Sequence, residues 1–106
     1  MIGVFGGSFD PIHFGHIKPL IELNKEFNFN SILLIPCNLS PSLKKTNASA
    51  IDRFKMTKII SQSSSNNFLS DDREIKRGGI SYSYDTLKDI KNKYDQNISL
   101  IIGEDV

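Results

Sequence analysis

Gly6-Gly7-Ser8-Phe9-Asp10-Pro11-Ile12-His13-Phe14-Gly15-His16 decides how the rest of the chain is read. It follows a short apolar run, Met1 to Phe5, and leads into a helical pattern that starts near His16. A strand, a glycine-rich turn and a helix N-terminus, in that order, build an anion site. Gly6 and Gly7 let the backbone come close to a ligand, because neither carries a Cβ. The free N–H groups of a first helical turn, with the positive end of the helix dipole, favour phosphate oxygens. His13 and His16, three residues apart, share one face of that turn. Each is able to donate hydrogen bonds to phosphate and to carry charge near neutral pH. Taken singly, the glycines are an ordinary tight turn and the histidines an ordinary half-exposed pair. Their joint spacing with Ser8, Asp10, Pro11 and Gly15 is what points to a site.

Working outward, Ile2 to Phe5 reads as a buried parallel strand. A helix is expected from Gly15 to about Phe27, with Ile17, Leu20, Ile21 and Leu23 as its apolar stripe and Pro19 in or just past its first turn. Ser31-Ile32-Leu33-Leu34-Ile35-Pro36 is a second strand, apolar on both faces, which completes a right-handed βαβ unit. Ligands of such sheets sit beyond the carboxyl ends of the strands. The glycine turn and the segment after Pro36 therefore meet at one edge. Cys37 to Ala48 is a polar loop containing Pro41, Lys44 and Lys45. A helix from about Ser49 to Ser61 is expected to bury Ile51, Phe54, Ile59 and Ile60. A Ser/Asn-rich connector and a short strand at Phe68 and Leu69 follow. Asp71 to Gly79 reads as a loop or edge segment, with Asp72, Arg73, Glu74, Lys76 and Arg77 as a solvated charged run. Ser81 or Ser83 is expected to cap the next helix, with Asp85 in its first turn and Leu87, Ile90 and Tyr94 on one face. Ile98 to Ile102 is the fourth strand, and Gly103-Glu104-Asp105-Val106 begins its carboxyl-end loop. The expected fold is α/β, a Rossmann-like parallel sheet with flanking helices, truncated after the fourth strand. It is expected to be one domain over 1–106, incomplete at the C-terminus.

With 106 residues there is room for one modest core. A net charge of +1 argues against a wide nucleic-acid surface. No apolar run approaches membrane-spanning length, and no signal peptide is expected, since the N-terminus starts a strand without a basic lead. Cys37 is the single cysteine, so no intrachain disulfide forms, which suits a reducing cytoplasm. The last strand, left as an edge, invites pairing with a second copy, and a homo-oligomer stays open.

Gly7-Ser8-Phe9-Asp10-Pro11 followed by His13-x-Gly15-His16 resembles the signature of the nucleotidyltransferase superfamily with the HxGH motif. His13, where phosphopantetheine adenylyltransferases usually carry Thr, makes the nicotinate-nucleotide adenylyltransferases the closer match. The segment after Ile35-Pro36 is similar to that family's phosphate-holding loop. It reads Ser40-Pro41-Ser42-Leu43-Lys44, without the family's His, so Lys44 or Lys45 is the expected basic residue. Asp72-Arg73-Glu74-Ile75-x-Arg77 and Ser81-Tyr82-Ser83-x-Asp85-Thr86-Leu87 resemble the block that helps form the pyridine-nucleotide pocket. Ile101-Ile102-Gly103-x-Asp105 resembles the segment that contacts the adenylate ribose. The chain stops before the family's Trp-bearing segment and its later Ser-Ser/Thr-x-x-Arg motif.

The resemblance implies transfer of an adenylyl group from ATP to nicotinate mononucleotide, giving the deamido dinucleotide and pyrophosphate in NAD biosynthesis, with Mg²⁺ bridging phosphate oxygens. It implies His13, His16 and Lys44 as the catalytic set. ATP would meet Gly6, Gly7, Ser8, Phe9, His13, His16, Gly103 and Asp105. The acceptor would meet Ser8, Phe9, Lys44, Ser81, Tyr82 and Ser83. No protein metal ligand is expected, and Asp10 is read as a turn-forming, helix-orienting residue. The alternatives are a catalytically silent nucleotide-binding fragment, an adenylyltransferase acting on nicotinamide mononucleotide or phosphopantetheine, and, far behind, a metal site of His13, His16 and Asp10.

Overall fold

A computed structural model describes residues 1–42, 45–63 and 67–102. Four strands, β1 (Ile2–Gly7), β2 (Ser31–Pro36), β3 (Phe68–Ser70) and β4 (Ile98–Ile101), form one parallel sheet in the order β3-β2-β1-β4. Four helices connect them: α1 (Phe14–Glu26), α2 (Ala50–Ser63), α3 (Arg73–Arg77) and α4 (Ser83–Lys93). The chain runs outward from β1 to β2 and β3, then crosses back to lay β4 on the other side of β1. The reversal falls beside β1, where doubly wound sheets hold their ligands.

Both sheet faces are covered, which is why the strands read as continuous apolar runs rather than alternating ones. Phe5, Ile32, Leu34 and Phe68 point to one face and pack with Phe9, Ile12, and Ile17 and Leu20 of α1, with Met56 and Ile60 of α2 partly buried against them. Ile2, Val4, Leu33 and Ile35 point to the other face and pack against Ile90, flanked by Leu87 of α4 and by Tyr94 just past its end. Leu20, Ile32, Leu34, Ile35 and Ile90 have no exposed surface. Each such side chain stabilises the fold by about 2 kcal/mol through its removal from water.

Four expectations are corrected. The strand continues through the glycines: Gly6 and Gly7 pair with Ile35 and Pro36, and neither has a positive φ. The buried stripe of α2 is not the apolar one expected, for Ile51 and Ile59 are more than half exposed, whereas Arg53 and Thr57 are buried. In that rotation the Arg53 guanidinium serves carbonyls at the sheet edge while Met56 and Ile60 meet the core. The charged run after β3 is a helix, α3, and only part of it is solvated, since Lys76 and Arg77 are exposed. Asp71 binds Arg73 through two oxygens and Glu74 is buried. Finally, neither Ser81 nor Ser83 caps α4. Its N-cap is Tyr82, without a side-chain cap bond, and Ser81 is buried and committed elsewhere. Among the described residues, no helix is long and apolar enough to cross a membrane.

Candidate functional site

The turn from β1 into α1 is built by its own side chains. Phe9, not a glycine, adopts the left-handed conformation, at φ 49. A non-glycine residue in that region costs on the order of 1 kcal/mol or more and needs outside support. Burial of the Phe9 ring supplies part of it, 5.5 Å from the Phe5 ring and edge-on to His16 at 5.4 Å. Asp10 precedes Pro11 through a cis bond. Its carboxylate accepts the N–H groups of Asn47 and Ala48, so Asp10 holds the loop entering α2 rather than orienting α1, as the sequence had suggested. Those two N–H groups, Asn47 first, keep the Asp10 carboxyl below its ordinary range of about 3.8.

His13 is the N-cap of α1 and His16 lies three residues on. The Gly15 N–H donates to His13 Nδ1 at 3.0 Å, and the His13 N–H donates to His16 Nδ1 at 3.0 Å. Two imidazoles thus occupy the roles that Ser/Thr and Glu/Gln fill in an ordinary capping box. The consequence is chemical. An Nδ1 that accepts a backbone N–H is unprotonated, so each neutral ring carries its proton on Nε2. The rings lie 4.0 Å apart at 37°. Burial, then the field of His13, lowers the His16 pKa below its usual 6.5, which leaves His16 neutral at neutral pH with Nε2–H as its donor. Gly15 is required by this packing, because a Cβ there would fall 2.8 Å from His13 Cε1. Among the described residues, the N–H groups of Ser8 and Phe9 donate to no protein acceptor. Unpaired backbone donors, two Nε2–H groups and a helix N-terminus form a set that suits an anion with several oxygens.

Sequence reasoning missed Arg53. It is 1% exposed, and its guanidinium donates to the carbonyls of Ser8 (2.8 Å), Cys37 (2.7 Å) and Asn38 (3.1 Å), while its Nε donates to Ala48 (3.2 Å). The only sequence signal was that Arg53 and Thr57, four residues apart, share one face of α2 with the core-facing Ile60. The Ser81 segment joins the same edge. Ser81 Oγ accepts the Asn38 N–H, the Ser81 N–H donates to Leu39 O, and Asn38 Nδ2 donates to Gly79 O. Asn38 therefore links the Ser81 segment to Arg53, and Arg53 links both to Ser8. Tyr82 and Ser83 follow, exposed at that edge.

The structure thus brings Gly6, Gly7, Ser8, Phe9, His13 and His16 together, and ties Ser81 to them through Asn38 and Arg53. Lys44, Gly103 and Asp105 lie outside the described residues. Among the described residues, no group of three His, Cys, Asp or Glu side chains is placed to hold a metal ion. The carboxylate of Asp10 accepts backbone N–H groups, and so do both Nδ1 atoms.

A parallel sheet ordered about β1, opening into a His-x-Gly-His helix cap, is the architecture of the HxGH nucleotidyltransferases. The chain belongs to the cytidylyltransferase-like family, whose profile matches residues 4–106. Among curated relatives, it is 41% identical over 103 residues to the probable nicotinate-nucleotide adenylyltransferase of Aquifex aeolicus, covering 96% of this chain and 61% of that one. With the protein of the same name from Methylococcus capsulatus it shares 35% identity over 106 residues, covering 99% of this chain and 50% of that one. In fold it matches the crystal structure of a putative nicotinate-nucleotide adenylyltransferase from Vibrio parahaemolyticus, with a TM-score of 0.79 and 24% identity, over 98% of this chain and 61% of that chain. The resemblance drawn from the motifs is borne out. The chain spans about half the length of the curated relatives it matches.

Proposed function

We propose that this chain carries the phosphate-binding part of an enzyme that adenylates nicotinate mononucleotide, and that residues 1–106 belong to one nucleotidyltransferase domain. The observation that carries the reading is the closely packed histidine pair, with both Nδ1 atoms held by backbone N–H groups and both Nε2–H groups free to donate. In the reaction, an oxygen of the mononucleotide phosphate attacks the α-phosphorus of ATP in line. The new O–P bond forms as the bond to the pyrophosphate oxygen breaks. The nucleophile is already anionic, so no strong base is needed. Positioning and neutralisation of the growing charge on pyrophosphate carry the rate.

His13 and His16 donate Nε2–H to phosphate oxygens, and the N–H groups of Ser8 and Phe9 add two more donors. Neutral His16 suits this work, since it donates without needing a proton from solvent. Lys44 is the proposed cation on the loop after β2, and Gly103 and Asp105 the proposed ribose contacts. Ser81, Tyr82 and Ser83 are proposed to line the acceptor side. Mg²⁺, carried on the ATP oxygens, offsets their charge and asks for few protein ligands. The reading implies a cytoplasmic protein, with nicotinate mononucleotide and ATP as its small-molecule partners and no role for nucleic acid or membrane.

The test is pyrophosphate release from Mg–ATP, with nicotinate mononucleotide, nicotinamide mononucleotide and phosphopantetheine as rival acceptors, using the longest native chain. Release is expected with nicotinate mononucleotide first, and a loss of at least roughly a hundredfold in His16→Ala, the scale of one donor aimed at developing charge. Release with another acceptor alone reassigns the substrate. ATP binding without release for any acceptor makes it a silent nucleotide-binding module.

A further inference from the structure

Arg53 is an unusual buried cation. Among the described residues, no carboxylate lies within ion-pair distance of it. Its charge is met instead by the carbonyls of Ser8, Cys37, Asn38 and Ala48. A guanidinium withdrawn from water is expensive to bury when no carboxylate bonds to it, and here the Asp10 carboxylate feels its charge but bonds to the N–H groups of Asn47 and Ala48. The four carbonyls share one property: all lie on loops at the carboxyl edge of the sheet or entering α2. Arg53 is therefore the joint at which the β1 turn, the loop after β2 and the start of α2 are fixed to one another.

The Ser8 bond has a further consequence. A trans peptide is planar, and its C=O and N–H point in opposite directions. With Ser8 O drawn inward onto Arg53 Nη1 at 2.8 Å, the N–H of Phe9 is aimed outward. That N–H is one of the two unpaired donors of the turn, and Phe9 is the residue held at φ 49. A cation on the carbonyl also draws electron density from the peptide, which makes the Phe9 N–H a stronger donor.

We propose that Arg53 is a positioning residue for phosphate binding: from behind the turn, it holds the Ser8–Phe9 peptide so that the Phe9 N–H faces the phosphate oxygens. This rests on the phosphate-site reading given above. Arg53 itself touches no substrate.

Two measurements decide it. The first is calorimetric titration of Mg–ATP into the unaltered chain and into Arg53→Lys, which keeps the charge but not the fork that reaches several carbonyls. A weakening of at least roughly tenfold is expected in a variant with a native amide spectrum, the scale of one charge-assisted hydrogen bond. Equal affinity in folded Arg53→Lys overturns the proposal. The second needs no variant. In the unaltered chain, inorganic pyrophosphate is titrated while the Phe9 amide and the Arg53 guanidinium nitrogens are followed by NMR. Both sets of signals are expected to move together, although the guanidinium is out of ligand contact. Movement of Phe9 with a silent Arg53 overturns the proposal and spares the phosphate site. A silent Phe9 in a chain that still binds ATP also overturns it. No binding of either ligand by the folded chain overturns the phosphate-site reading, and with it this role.

Discussion

Gly15 sits where two effects of similar size oppose each other. Alanine is the better helix former by about 1 kcal/mol. A Cβ at this position, however, falls 2.8 Å from the His13 ring and would push it off the N-cap, a loss also of about 1 kcal/mol. Gly15→Ala is thus expected to change unfolding free energy by less than about 1 kcal/mol, while Mg–ATP affinity falls at least roughly tenfold as His13 Nε2 loses its place. Urea denaturation beside calorimetry checks this; unchanged affinity would show that His13 does not need its capped position. The motif glycines differ in this respect. At Gly6 a Cβ would meet Ile35 O at an ordinary 3.6 Å, so the protein's own atoms do not require glycine there. The sequence identified His13, His16 and Gly15 by their spacing. It gave no hint that the left-handed residue would be Phe9, because that conformation depends on the buried ring and on Arg53.

At the scale of elements, α3 and α4 are joined by a polar chain, buried at Glu74 and Thr86, that reads from sequence as surface charge. The Arg77 guanidinium donates to Thr86 Oγ1 at 3.1 Å, and Thr86 Oγ1 donates to Glu74 Oε2. Burial raises the Glu74 pKa above its usual 4.5, against the opposing pull of Thr86, Arg77 and Ser81. A carboxyl with a raised folded pKa binds protons more tightly in the native state. Its stabilising contribution is complete below 4.5 and is lost as pH rises through the folded pKa. The difference in urea midpoint between the unaltered chain and Glu74→Gln should therefore shrink or reverse as pH rises from 4.5 toward neutrality. A difference flat across that range would mean the carboxyl is not perturbed. The failures of sequence reading at this scale share one cause. In α2 and α3 the fully buried residues, Arg53, Thr57 and Glu74, are polar and hydrogen-bonded, and hydrophobic periodicity is silent about polar burial. Where apolar contact decides, as in β2, in α1 and at Leu87 and Ile90 of α4 with Tyr94 at its C-cap, structure and sequence agree.

For the whole molecule, the topology was legible because a parallel sheet covered on both faces leaves continuous apolar strands and fixed-hand crossovers. The order β3-β2-β1-β4 then places the β1 turn, the loop after β2 and the Ser81 segment at one edge, in register through Asn38 and Arg53. What the sequence could not convey was that linkage, since Asn38, Ser81 and Arg53 mostly bond to backbone groups, which have no residue identity. The central claim is that the turn from Ser8 to His16 is a working phosphate site. Calorimetric titration of Mg–ATP into the folded chain, beside His16→Ala with its fold checked by thermal unfolding, tests it most directly. The account predicts saturable binding by the parent and its loss in the mutant. Equal binding by both, or none by a well-folded parent, would contradict it.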